Sequence, residues 1–284
     1  MKKHVDLNYS ELFSRSLKEM GPLFDVKNKS IELNRKFDRF WDDKSDVGYI
    51  HNSYGYRCEE FNNQELMFLG CSHTYGMGSK LEHTWPYLLS KKLGMDYINL
   101  ARGGDSAQAQ IIKAFQFFKE FYKPKYIVAV LPVFRLEFPN VKDILKNNNQ
   151  MEEQLISQYF FNNSHKDIKK ISKTPYVLDD MLPREVPVFY NFMFIQMLIE
   201  YCNSNNINLL WTTYDIGTNV KDLLNLKNEK QYFYLDYWHK HALDNHTCHS
   251  ELKNNKNFDI AADNGHLGLH YHIHLAELLH SLMV

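Results

Sequence analysis

Three residues of this 284-residue chain can together make an activated nucleophile: Ser72, His266 and Asp263. A serine hydroxyl attacks poorly at neutral pH, so it needs a neighbouring base. The base in turn needs a partner that fixes its tautomer and stabilises its charged form. Asp263 and His266 lie three apart in AADNGH, so a turn there lets the carboxylate accept from one imidazole nitrogen while the other faces outward as a base. Taken alone, an Asp-x-x-His pair is weak evidence, since an Asp or Asn before a helix is usually just a cap. Ser72 gives the pair its weight. Leu66, Met67, Phe68 and Leu69 form a continuous apolar run, the pattern of a strand buried on both faces, and Gly70 lets the backbone turn sharply at its end. A serine just beyond such a strand stands where ligands collect in open α/β sheets. At the entrance to a helix, it also has unpaired N–H groups beside it that can stabilise an oxyanion.

Several elements must position these residues. Thr84 as cap, Pro86 in the first turn and Gly94 just past the end mark a helix over Thr84–Leu93. A strand over Tyr97–Ala101 then runs into a second glycine loop, Arg102 to Ser106, which opens a helix over about 107–122. A third strand, Tyr126–Leu131, ends at Pro132, and this alternation argues for right-handed crossovers and a parallel sheet. The apolar stretch Val186 to Cys202 is too short and too interrupted to span a membrane and reads as a largely buried helix. A strand over Ile207–Thr213 follows, and a helix over Gly268–Leu282 closes the chain. The expected architecture is a three-layer α/β/α sandwich around a parallel sheet of about five strands.

Residues 1–64 read as a helical, turn-rich extension packed on a main domain at 65–284, with helices at Ser10–Met20 and Ile31–Trp41. Asn52, Ser53, Gly55 and Arg57 form an N-S-x-G-x-R pattern, read as a turn with Gly55 at positive φ rather than as a substrate contact for Arg57. Residues near 141–182 form a polar helical insertion, and 217–258 are irregular, aromatic and polar.

Composition narrows the function classes. With 33 basic and 34 acidic residues the net charge is −1, so no overall field draws nucleic acid or an anionic membrane. No apolar run reaches the roughly 18 residues of a spanning helix, and no apolar stretch follows Lys2 and Lys3 as in a secretion signal. The four cysteines are irregularly spaced, which favours reduced thiols and a cytoplasmic setting. His239, His241, His246, Cys248 and His249 form a cluster of types that zinc uses, without a clean paired-ligand spacing; no metal or other cofactor is expected.

The blocks GCSHTYG (70–76), NLARGG (99–104) and DNGHLGLHYHIHLA (263–276) resemble, in order, the first, second and last blocks of the SGNH, or GDSL-like, hydrolase family. The likeness covers roughly residues 50–284, and the upstream NSYGYR resembles what often precedes this domain. It implies a flavodoxin-like sheet, Ser72 as nucleophile, His266 as base and Asp263 as its partner. By the same resemblance the N–H groups of Ser72 and Gly104 line the oxyanion hole, and His73 is a first-turn residue placed to touch substrate.

The chain departs from the family pattern at three places. Cys71 replaces the Asp of Gly-Asp-Ser and reads as a buried structural thiol; Leu267 stands where a proline is common. The third block should read Gly-x-Asn-Asp after the third strand, and this chain has LPVFRLEF with no asparagine. Losing one oxyanion donor costs on the order of 100-fold to 1000-fold in rate. Arg135 is the candidate substitute, with a salt bridge to Glu137 or another neighbour as its other reading.

The resemblance implies a serine hydrolase that cleaves a small-molecule or carbohydrate ester, as an esterase or O-deacetylase. An O-acyltransferase on the same fold, a silent binding or structural module, and a metal-dependent hydrolase built on the histidine cluster are the alternatives.

Overall fold

The computed structural model describes residues 17, 47, 49–133, 185–213, 261 and 266–284. The helices expected at Ser10–Met20 and Ile31–Trp41, apart from Leu17, lie outside these residues, as do the insertion near 141–182 and the stretch 217–258.

Four strands, β1 (Leu66–Gly70), β2 (Tyr97–Asn99), β3 (Tyr126–Leu131) and β4 (Asn208–Thr213), form a parallel sheet in the order β2-β1-β3-β4. Among the described residues the helices are α1 (Ser72–Tyr75), α2 (Trp85–Leu93), α3 (Ala107–Glu120), α4 (Glu185–Ser204) and α5 (Leu269–Met283). All five residues of β1 are buried, as expected of a strand covered on both faces. Its side chains divide by alternation. Leu66 and Phe68 join Val128 and Val130 against α2 and α5, where Trp85, Leu89, Tyr271 and Leu275 pack. Met67 and Leu69 join Ile127, Ala129, Leu131 and Trp211 against α3 and α4, where Ile111, Phe117, Ile195 and Leu198 pack. These two covered faces make the three layers of an α/β/α sandwich.

The order begins as the flavodoxin-like one, in which the chain moves to the opposite side of β1 between β2 and β3. In open α/β sheets such a switch point, beyond the carboxyl ends of the strands, is where ligands bind. Gly70 at the end of β1 must be a glycine, because a methyl group there would lie 2.0 Å from Thr74 Oγ1 and 2.8 Å from the Val130 carbonyl oxygen.

Three expectations change in detail. Thr84 occupies the N-cap position of α2, but its hydroxyl donates to Leu81 O (2.8 Å) and makes no side-chain cap. His272 of α5 supplies the acceptor instead, taking Trp85 N–H on Nδ1 at 3.2 Å. The strand expected over Tyr97–Ala101 ends at Asn99, because Ala101 N–H turns to Asn99 Oδ1 (3.1 Å). The helix over Val186–Cys202 is not largely buried. Phe189, Tyr190, Met193 and Met197 are exposed, by 61%, 45%, 50% and 44%, while Ile195, Leu198, Ile199 and Cys202 face the core. A helix apolar on nearly every side carries no periodicity from which to read a wet face. The described residues supply four parallel strands of the expected sheet.

The segment before β1 packs on the sandwich where it is described. Gly55 takes φ +85° in the expected turn, and Leu17 is buried, its N–H donating to Glu120 Oε1 at 2.9 Å. No helix among the described residues is long and apolar enough to cross a membrane.

Candidate active site

β1 delivers Ser72 to the carboxyl edge of the sheet as the first residue of α1, half-buried beside the point where the strand order switches. Cys71 before it is 1% exposed and packs under the sheet with Phe68, Trp85 and Leu89, its sulfur 3.7 Å from Ser72 Oγ. The thiol thus belongs to the core and the hydroxyl to the rim. α1 is a single turn, closed by Gly76 at φ +80°, whose N–H and that of Met77 both return to Ser72 O at 2.9 Å.

Arg57 holds this turn from below. It is 1% exposed and donates to the carbonyl oxygens of Tyr75 (3.1 Å), Gly76 (2.7 Å) and Ser79 (2.8 Å). Its guanidinium lies 4.6 Å from the Tyr49 ring centre and 5.4 Å from that of Tyr75. A planar cation with a fixed fork of donors suits three converging carbonyls as a lysine would not. The sequence reading of the N-S-x-G-x-R pattern as structural rather than substrate-binding agrees with these contacts.

The second glycine loop approaches Ser72 from the β2 side. A methyl group on Gly103 would lie 3.9 Å from Ser72 Cβ and 2.9 Å from Met77 Cε, so the loop passes directly beside Ser72. Gly104 takes φ +86° and faces open space, with nothing within 4 Å of where a Cβ would stand. Asn99 links this loop to α1, donating through Nδ2 to Thr74 O (3.0 Å) while its Oδ1 accepts from Ala101 N–H. Asp105, next after Gly104, is fully buried and pairs with Arg102 Nε at 2.8 Å and with Lys113 of α3. Ser106 caps α3 by accepting from Ala109 N–H at 3.1 Å.

His266 lies against His73, the residue after Ser72, with ring centres 5.0 Å apart in an edge-to-face arrangement; His73 also meets the Tyr271 ring at 6.2 Å. His272, one turn into α5, is buried and accepts from Trp85 N–H, which requires a deprotonated Nδ1. Burial, and then the charges of Arg57, His266 and His83, lower its pKa to about 3, so it is neutral at any ordinary pH. His270 and His274 face outward on the same helix.

Of the residues singled out in the sequence, Ser72, His73, Gly104 and His266 thus belong to α1, the second glycine loop and the approach to α5. Asp263 and Arg135 lie outside the described residues, as do His239, His241, His246, Cys248 and His249. Among the described residues no group of three or more His, Cys, Asp or Glu is placed to hold a metal ion. At the third block, Pro132 O accepts from Ala107 N–H (2.9 Å) and Val133 O from Asn191 Nδ2 (2.8 Å), both ties to neighbouring helices. Sequence reasoning missed Asn99, Asp105, Gln110 and Lys113. Their signal was faint: polar residues at positions where α3 and β2 turn their faces to the core.

No protein-family model and no curated protein matches this chain. Among solved structures, a proposed lipolytic protein of the G-D-S-L family from Desulfitobacterium hafniense DCB-2 aligns at 12% sequence identity over 78% of this chain and 99% of that one, with a TM-score of 0.32.

Proposed function

We propose that this chain is a serine hydrolase that cleaves an ester of a small molecule or carbohydrate, with Ser72 as nucleophile, His266 as base and Asp263 as its partner. The observation that carries the reading is the position of Ser72. It leads a one-turn helix at the carboxyl end of β1, with Gly103 beside it and His266 packed on the adjacent His73. The three sequence blocks and their order support it independently.

In this reading Ser72 Oγ attacks the ester carbonyl carbon while His266 takes the hydroxyl proton. The carbonyl oxygen becomes an oxyanion held by the N–H groups of Ser72 and Gly104, with Arg135 as a further donor. Collapse expels the alcohol, which receives the proton from His266, and leaves an acyl-enzyme. Water, deprotonated by His266, then attacks the acyl carbon; collapse releases the acid, and His266 returns the proton to the departing Ser72 Oγ. A sugar hydroxyl in place of that water turns the same cycle into O-acyl transfer. His73 stands at the rim as a substrate contact. The reading needs no cofactor, and we take the setting to be cytoplasmic, in keeping with Cys58, Cys71 and Cys202 as free thiols.

A second reading, a silent module of the same fold, is favoured by one observation: the third block carries Pro132 and Val133 where the family pattern has its asparagine donor nearby. The two readings separate on Ser72→Ala. Hydrolysis of p-nitrophenyl acetate should fall to the uncatalysed rate in a variant with an unchanged circular dichroism spectrum. Activity equal to that of the unsubstituted protein rules out Ser72 as the nucleophile, and no activity in either protein favours the silent module.

A further inference from the structure

We propose that Gln110 is a positioning residue that sets the second glycine loop against the Ser72 turn, and so fixes the distance between the two oxyanion donors. This rests on the reading of the Ser72 and Gly104 N–H groups as the oxyanion site.

β2 pairs with β1 only as far as Asn99 opposite Phe68, and beyond that point the two strands diverge. Their divergence leaves Gly70 N–H and Leu100 O facing a gap where a ladder partner would otherwise stand. The Gln110 side chain, fully buried on α3, fills it: Oε1 accepts from Gly70 N–H at 3.0 Å and Nε2 donates to Leu100 O at 3.1 Å. The second Nε2 proton goes to Asp105 Oδ2. One amide thus joins the residue two before Ser72, the exit of β2 and the residue after Gly104.

These partners also fix which way the amide points. An oxygen must meet the Gly70 donor, and a donor must meet both the carbonyl and the carboxylate. Arg102 and Lys113 neutralise Asp105 from either side, so the loop is anchored by charge as well as by hydrogen bonds. With Gly103 so close that a methyl group on it would lie 3.9 Å from Ser72 Cβ, a small slide of this loop along β1 would move the Gly104 N–H away from where an oxyanion forms. A misplacement of about 1 Å at such a site can cost roughly 100-fold in rate.

The test compares the unsubstituted protein, Ser72→Ala, Gln110→Met and Gln110→Glu on p-nitrophenyl acetate, with rates referred to folded molecules counted by near-ultraviolet circular dichroism. Met keeps the volume without the hydrogen bonds; Glu keeps the shape and the acceptor but sets a carboxylate against Asp105. In both, kcat should fall by about 10-fold to 100-fold while KM stays within about two-fold, because the lost interaction is one made in the transition state. Phosphonylation of Ser72 by a fluorophosphonate, whose oxygen takes the oxyanion position, should slow in parallel. Full kcat per folded molecule in either Gln110 variant overturns the inference and leaves the proposed function standing. A loss confined to KM, with phosphonylation at the unsubstituted rate, overturns it too. If the unsubstituted protein is no faster than Ser72→Ala, the functional reading fails and this inference fails with it.

Discussion

His272 and His266 sit six residues apart, yet their surroundings suit them to different work. His272 has no exposed surface to speak of, and its Nδ1 lone pair is committed to the first N–H of α2. With a pKa lowered to about 3, first by burial, it cannot serve as a base that gains and loses a proton near neutrality. His266 is half-buried beside His73 and is the base of the proposed function. The buried neutral histidine also bears on stability. Between its folded value of about 3 and the ordinary 6.5, the unfolded chain binds a proton that the folded chain does not. Its contribution is therefore intact above pH 6.5 and is lost as pH falls, by about 2 kcal/mol on going down to about pH 5. His272→Asn can still offer an oxygen to Trp85 N–H but has nothing to titrate. Urea unfolding at about pH 7.5 and pH 5 should show the variant losing about 2 kcal/mol less than the unsubstituted protein over that interval; equal losses would contradict the assignment.

At the scale of elements, what the sequence revealed depended on how far away the deciding partner lay. β1 and β3 were legible because a continuous apolar run is a local signal. α3 and α5 were legible within two residues at most ends, and Gly94 marked the end of α2, its N–H closing onto Lys91 O and Ser90 O. The cap of α2 was misread because its acceptor comes from His272, 187 residues later, while Thr84 looks sufficient on its own. Gln110 and Asp105 escaped notice for the same reason: a glutamine in a helix gives no sign that it fills a gap in a sheet. The early end of β2, which makes that gap, was also hidden, since YINLA is uniformly strand-like. Two glycines separate local from tertiary causes. Gly94, at φ +64° with open space around it, should cost about 1 kcal/mol on substitution by alanine, for its backbone conformation alone. Gly70→Ala should cost about 3 kcal/mol, because its methyl group would collide with Thr74 and the Val130 carbonyl. Urea midpoints measure both, and equal losses would mean that the strand end relaxes more easily than its packing suggests.

Over the whole molecule, the strand order gathers the candidate residues. Placing β1 between β2 and β3 puts the two glycine loops on one edge of the sheet, and α5 brings His266 to the same edge from the other end of the chain. The buried side chains that support this edge, Arg57, Asn99, Asp105 and Gln110, come from four different segments and act mainly on backbone groups. Such support holds a site rigid without touching a substrate, so a family pattern built on the touching residues passes it over. In the proposed function the departure at the third block bears on rate, and Ser72 as an activated nucleophile is the part most open to direct test. The most direct measurement is mass spectrometry of the folded protein after a fluorophosphonate, followed by peptide mapping. A single phosphonyl adduct on Ser72, absent from Ser72→Ala, is the expected result. No adduct on folded protein, or one that persists in Ser72→Ala on Cys71 or His73, would contradict it.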